Sequence, residues 1–190
     1  MIDPIIYSSD PLSKKGKIKF LKTRNVISPT RANQHDAGID FFVPELTEQF
    51  IQVLKEKNPD LHIKFNENDE SISILLDPHE RILIPSGIHC QMNSPDRALI
   101  AANKSGIATK QGLVFGAQIV DYEYQGEIHL SLINTGKIPV ILTSGMKILQ
   151  FIETPIFTSV IDIEENKSTQ EFYEKETTRG EGGFGSTDKK

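Results

Sequence analysis

The sequence holds a single cysteine, Cys90, so no internal disulfide framework can form, which fits a reducing compartment. No apolar run approaches the roughly 20 residues that a membrane-spanning helix needs. The opening "MIDPIIYSSDPLSKKGK" lacks the charged start and apolar stretch of a secretory signal. The expectation is a cytoplasmic, intracellular protein with no membrane partner. Five histidines are scattered without HExxH or a Cys/His cluster, which argues against a protein-built zinc site. A metal that takes part would arrive with the substrate. Positive charge is also short: 21 Lys+Arg face 26 Asp+Glu, a net charge of -5, against stable nucleic-acid binding. No G-x-x-x-x-G-K-[ST] occurs, which excludes a P-loop enzyme.

What is present is a series of short segments rich in β-branched and aromatic residues. They include "KIKFL" (17–21), "IDFFV" (39–43), "RILIP" (81–85), "GIHCQM" (87–92), "ALIAA" (98–102) and "LVFGAQIV" (113–120). Further along come "GEIHLSLIN" (126–134), "PVILT" (139–143), "KILQFIE" (147–153) and "FTSVI" (157–161). Turn formers such as Ser86-Gly87, Ser94-Pro95, Asn134-Thr135-Gly136 and Ser144-Gly145 divide them. This spacing predicts an all-β sandwich or jelly roll.

Two regions break the rhythm. "ELTEQFIQVLKEKNPD" (45–60) sets Leu46, Phe50, Val53 and Leu54 at helical spacing and stops at Asn58-Pro59, and two alternating runs follow as in a hairpin. Residues 45–79 are expected to be an insertion, with a protein partner as one use for it. "EENKSTQEFYEKETT" (164–178) is polar and reads as a linker. Fifteen residues can extend about 50 Å, enough to reach another subunit. The expected organisation is a jelly-roll domain over 1–162, a flexible linker over 163–178 and a glycine-rich arm over 179–190.

Four stretches carry possible chemistry, each with an ordinary alternative. "RGEGGFGST" contains Gly180, Gly182 and Gly185 at dinucleotide-fingerprint spacing, but the chain stops where the required helix would begin. Its parts suit a nucleotide: Arg179 to fork onto a phosphate, glycine N–H groups to form an anion nest, Phe184 to stack on a base. The alternative is a frayed tail. "NKSGIATKQG" (103–112) offers Lys104, Ser105 and Gly106 to a phosphate, or forms a Ser-Gly turn. "AQIVDYEYQGEI" (117–128) would alternate Asp121 and Glu123 with Tyr122 and Tyr124 across a strand, so that a carboxylate activates water while a ring supports a sugar, or it is a solvated hairpin tip. In "DAGID" (36–40), Asp40 either holds metal-bound water or caps a turn.

In order and spacing these stretches resemble the five motifs of the trimeric deoxyuridine triphosphate nucleotidohydrolases, the dUTPases. The motifs are "DAGIDFF", "NKSGIATKQG", "GAQIVDYEYQGEI", "SGMKILQFIE" and "RGEGGFGST", and the likeness runs from "PTRAN" near residue 29 to Thr187. The resemblance implies a distorted jelly-roll homotrimer whose interface sites are completed by an exchanged C-terminal arm. It implies hydrolysis of dUTP to dUMP and pyrophosphate, which keeps uracil out of DNA and supplies dUMP for thymidylate synthesis. Mg2+ would be held mainly by the substrate phosphates and reached by Asp40 through water.

Residue by residue, Asp121 matches the carboxylate that deprotonates the attacking water. Lys104, Ser105 and Gly106 match phosphate-binding positions, as does Gln150. Tyr124 matches the ring beneath deoxyribose, and backbone groups of Gln118, Ile119, Val120 and His129 would read the uracil edge. Phe184 would cover the base and Arg179 the γ-phosphate, while Gly185 and Ser186 close over the triphosphate. Three departures stand out: Lys104 where arginine is common, Gln118 where a small residue is frequent, and the 45–79 insertion. Two other readings compete. One is a dCTP deaminase on the same scaffold. The other is a trimeric regulatory module that binds a partner through residues 45–79.

Overall fold

The computed structural model describes residues 17–173, 175 and 177–180. Short strands with alternating burial make up most of it. In order they are β1 (Lys19–Lys22), β2 (Gly38–Phe42), α1 (Glu48–Lys57), β3 (His62–Asn66), β4 (Ser71–Leu76), β5 (Arg81–Pro85), β6 (Ile88–Gln91) and β7 (Arg97–Asn103). Then follow α2 (Ser105–Gln111), β8 (Leu113–Phe115), β9 (Ile119–Val120), β10 (His129–Asn134), β11 (Val140–Thr143), β12 (Lys147–Pro155) and α3 (Thr169–Phe172). The strands pair antiparallel into four small sheets ordered β2-β12-β7-β9, β5-β10-β8, β11-β4-β3 and β1-β6. In β10, Leu130, Leu132 and Asn134 are buried while His129, Ser131 and Ile133 are partly exposed, the period of two that a strand imposes. Phe41, Ile74, Ile84, Leu99, Leu130 and Leu142 meet in one apolar core. The all-β, jelly-roll expectation holds.

The run 113–120 is not one strand. β8 pairs with β10 and β9 pairs with β7, so the chain changes sheets across 116–118. Nothing in the alternation of "LVFGAQIV" marks that crossing. "FTSVI" forms no strand, and Phe157, Val160, Ile161 and Ile163 are exposed.

The helix expected within 45–60 is α1. The Thr47 side chain caps it by accepting from the Phe50 N–H at 3.2 Å, with Glu48 in the first turn and Lys55 and Lys57 in the last, all favourable to the helix dipole. Phe50, Ile51 and Leu54 are buried, each contributing about 1.5–3 kcal/mol of transfer free energy. Asn58 ends the helix and joins it to the sheet: its amide donates to the carbonyls of Leu54 and Leu83 and its oxygen accepts from the Leu83 N–H. The expected hairpin exists as β3–β4, but β4 also pairs with β11, and its Ile74 and Leu76 lie in the common core. Residues 45–79 are therefore built into the body, because their apolar faces are covered by the chain's own core.

The chain divides into two compact units, Met1–Phe157 and Thr158–Lys190. In the second unit the stretch read as linker contains α3, a single turn closed by a reciprocal capping box between Ser168 and Glu171. An edge-to-face pair of Phe172 and Tyr173 follows it. No helix among the described residues is long and apolar enough to cross a membrane.

Candidate active site

Edge strand β2 sets Asp40 opposite Gln150 of β12 and bridged on its outer side to Thr30. Its side chain is almost fully buried, and a lone carboxylate there would cost several kcal/mol. Two ammonium groups offset that cost. Lys104 Nζ bonds Oδ1, and Lys147 Nζ lies 2.7 Å from Oδ2 as an ion pair rather than a well-angled hydrogen bond. Burial pushes the Asp40 pKa up, but the close ammonium groups of Lys104 and Lys147 together outweigh it and hold the carboxyl below its ordinary value. One carboxylate against two ammonium groups leaves one positive charge, which suits a phosphate better than a bare divalent cation.

Gln150 completes the corner by donating from Nε2 to the Asn103 carbonyl at 2.8 Å. A Cβ on Gly38 would sit 2.0 Å from Gln150 Oε1, which explains the glycine in "DAGID": the amide lies directly over the backbone. Gly38, Asp40, Lys104 and Gln150 line a cavity of about 280 Å³ together with Ala32, Asp36, Ala37 and Ile152. Ser105 and Gly106, which open α2, are exposed beside Lys104. A short helix replaces the Ser-Gly turn weighed from sequence, its end marked by Gly112 in the left-handed region.

Lys147 escaped the sequence reading. It is three residues from Gln150, so strict alternation puts the two on opposite faces. A register shift between Lys147 and Leu149 leaves the adjacent Ile148 and Leu149 both buried and returns Lys147 to the side of Asp40. Two consecutive apolar residues after the lysine were the available signal.

Asp121, Tyr122, Glu123 and Tyr124 do not alternate across a strand. β9 ends at Val120, and the Tyr124 N–H donates to the Asp121 carbonyl at 3.2 Å, making a turn in which all four are exposed. The Tyr124 hydroxyl donates to the Glu127 carbonyl at 2.9 Å, and a Cβ on Gly126 would meet the ring at 2.5 Å. The ring thus lies against its own turn. Val120 is buried, Gln118 and Ile119 are exposed, and the Gln118 carbonyl accepts from the Ala101 N–H. His129 Nδ1 pairs with the Glu127 carbonyl at 2.8 Å. Tyr124 lines a second cavity, of about 870 Å³, that shares no residue with the first.

Strand β7 separates the two groups. Val120 pairs with Leu99, so Asp121 follows near one end of β7, while Lys104 follows its other end at Asn103. Six strand rises amount to roughly 20 Å. Asp40, Lys104 and Gln150 are brought together, and Asp121 and Tyr124 are brought together, but one chain holds the two groups apart.

For a metal, the oxygens of Asp40 are already engaged by lysines. Among the described residues, His62, Asp77 and Glu80 form a group whose ligand atoms lie within 4.8 Å of one another, and it shares no residue with either cavity above. Arg179 is exposed in the second unit, and Phe184, Gly185 and Ser186 lie outside the described residues.

The dUTPase family model matches residues 69–188. The chain belongs to the dUTPase family. Deoxyuridine 5'-triphosphate nucleotidohydrolase of Pseudomonas entomophila is 35% identical over 113 residues, covering 58% of this chain and 70% of that protein. Among solved structures, a dUTPase of Staphylococcus bacteriophage 80alpha superposes with a TM-score of 0.63 at 18% identity, covering 90% of this chain and 98% of that one. The EIAV dUTPase gives 0.55 at 24% identity, with 80% and 100% covered. At these identities the two structures speak for the fold, while the family match and the relative speak for a dUTP-hydrolysing enzyme. The family match begins after "DAGIDFF", and the dUTPase first motif is joined to the fourth by the pairing of Asp40 with Gln150. The match includes β4, so the latter part of the supposed insertion, from residue 69, falls inside the family's own span.

Proposed function

We propose that the chain hydrolyses Mg2+-bound dUTP to dUMP and pyrophosphate at sites shared between copies of a homotrimer. Asp121 accepts a proton from water, the water oxygen forms a bond to the α-phosphorus, and the bond from that phosphorus to the bridging oxygen of the β-phosphate breaks, releasing pyrophosphate. General-base assistance contributes about 10² to 10⁴-fold, and charge neutralisation by the lysine corner adds to it.

The observation that carries this reading is the separation along β7. A base must stand within a few ångströms of the phosphorus it serves, yet Asp121 and the Lys104–Gln150 corner lie roughly 20 Å apart in one chain. Two copies meeting at this edge, one giving Asp121 and Tyr124 and the other giving Asp40, Lys104, Ser105, Gly106 and Gln150, bring both halves to one triphosphate. The unpaired apolar residues Phe157, Val160 and Ile161 favour a neighbouring chain as their cover. Arg179, Phe184, Gly185 and Ser186 would close the site.

Magnesium enters with the substrate, because its preferred ligands are phosphate and water oxygens and the corner carries net positive charge. On phosphate binding, Lys104 turns from Asp40 to a phosphate oxygen. Asp40 is then able to accept from water around the phosphates. Tyr124 packs beneath deoxyribose, and backbone groups of Gln118, Ile119, Val120 and His129 read uracil.

Steady-state hydrolysis of dUTP, dCTP, dTTP and UTP with magnesium tests the reaction: dUMP and pyrophosphate from dUTP alone support it, and dUTP made from dCTP overturns it. Sharing is tested by mixing Asp121→Asn with Lys104→Ala after co-refolding. Recovery of activity is expected, since some mixed sites receive two intact halves, and no recovery would place both halves in one chain.

A further inference from the structure

The turn that carries Asp121 and Tyr124 has little burial of its own; His89 Nδ1 pairs with the Gln125 carbonyl at 3.0 Å, and the densest set of contacts behind it converges on one residue, Glu127. Glu127 Oε1 accepts from Arg24 Nε at 3.0 Å and from the Gly87 N–H at 2.6 Å, and Oε2 accepts from Arg24 Nη2 at 2.8 Å. This fork is the strong, geometrically restrictive form of an arginine–carboxylate pair. The carbonyl of the same Glu127 accepts the Tyr124 hydroxyl and pairs with His129 Nδ1. One residue thus ties the sugar-supporting ring to a fixed point elsewhere in the body.

That fixed point is itself backed. The Arg24 guanidinium carbon stands 5.1 Å from the ring centroid of Phe50, a buried residue of α1. The backbone beside Arg24 is pinned by the Thr23 N–H donating to the Gly87 carbonyl at 2.8 Å. A Cβ on Gly87, whose φ is +74°, would meet the Arg24 side chain at 2.8 Å, so the arginine lies flat over that turn. The contacts run without a gap from α1 through Arg24 and Glu127 to Tyr124. Burial raises the Glu127 pKa, but Arg24, the Gly87 N–H and His129 hold it below the ordinary value, so the fork stays ionised at neutral pH.

We propose that Arg24 and Glu127, braced by Phe50 of α1, are positioning residues that set the Tyr124 ring and thereby the enzyme's discrimination between deoxyribose and ribose. This rests on the reading that Tyr124 supports the sugar, and it gives α1 a task in the chemistry although it touches no substrate. Arg24→Ala and Glu127→Gln are each expected to lower the ratio of kcat/KM for dUTP over UTP about 10-fold or more, with the KM for dUTP rising more than kcat falls. The double variant should be no worse than the more severe single one, because both remove the same fork. Arg24→Lys should recover part of the ratio, and Phe50→Leu should lower it about two- to three-fold.

Amide hydrogen exchange on the same variants reads the clamp independently of turnover. Exchange across 121–129 should quicken while β7 and β12 keep wild-type protection. A selectivity ratio within two-fold of wild type in Arg24→Ala and Glu127→Gln would overturn the proposal, as would unchanged exchange across 121–129. If the unaltered enzyme failed to hydrolyse dUTP, the functional reading would fall, and exchange across 121–129 would still decide whether Arg24 and Glu127 hold the turn.

Discussion

At the Asp40 corner a carboxylate only 1% exposed is gripped by two lysines on a sheet whose backbone pairs on both sides. At the turn 121–124 every side chain is exposed, and order comes from a few bonds: the Tyr124 N–H to the Asp121 carbonyl, His89 to the Gln125 carbonyl, the Tyr124 hydroxyl to the Glu127 carbonyl, and the ion pair behind it. The two regions solve different problems. On the proposed reading a triphosphate brings high negative charge, and cations already gathered on a sheet meet it with only the Lys104 side chain turning. On the same reading, a base that must reach water and a sugar stands on a backbone that leaves the sheet, at the cost of needing an anchor. Removing a group at the corner should therefore damage stability first, and removing one at the turn should damage turnover first.

The largest expected break of this contrast is Asp121→Asn. Its kcat should fall about 10² to 10⁴-fold with near-normal dUTP affinity and a melting temperature close to wild type, since an exposed side chain is exchanged for one of the same shape. Single-turnover kinetics and calorimetry read both halves. Near-normal turnover would mean that another group is the base.

Gly126→Ala should come next. The added methyl group meets the Tyr124 ring at 2.5 Å, so the ring must move, and discrimination against UTP should relax about 10-fold while folding is preserved. Competition kinetics with dUTP and UTP checks this, and unchanged discrimination would detach the ring from the sugar.

Asp40→Asn tests the other region. It leaves Lys104 and Lys147 facing each other without their anion, at a cost of about 1–3 kcal/mol, below the range for a fully buried pair because both lysines are partly solvated. Urea melts measure it. The Asp40 pKa is lowered from its ordinary 3.8, so its stabilisation is present above that value and is lost as pH falls through the lower folded value. The stability curves of wild type and variant should converge below about pH 4, and parallel curves would show that the ion pairs contribute nothing.

Thr47→Ala is expected to have the smallest effect, about 1 kcal/mol of stability from the lost N-cap of α1. Because α1 backs Arg24 and the turn, it should also cost up to about two-fold in kcat/KM; a thermal melt and a kinetic assay on one preparation separate the two.

Much of this was legible in the sequence. Strands such as β5, β10 and β12 follow from alternation and turn residues, and α1 announces itself by its apolar spacing and Asn58-Pro59. Asp40, Lys104 and Gln150 also stand out in the sequence as candidates, although they come from three strands or strand ends far apart in the chain. What escaped has identifiable causes. Lys147 is hidden by a bulge that reverses parity, and a bulge depends on the partner strand. The β8–β9 break leaves no periodic trace because both pieces are β-rich. "FTSVI" has strand composition but finds no partner within its own described chain, and composition cannot supply one.

By itself the sequence determined the all-β class, the order of the motifs and the chemical kinds at the site, because periodicity and residue type are local properties. Only the tertiary structure decided that Asp40 carries two lysines, that Asp121 stands on a turn a strand's length from the Asp40–Lys104 corner, and that Arg24 and Phe50 stand behind Glu127. Those facts depend on which segments are neighbours across the sheets, where pairs 64 to 107 residues apart, such as Lys104 with Asp40, Arg24 with Glu127 and Lys147 with Asp40, fix the electrostatics that no local stretch contains.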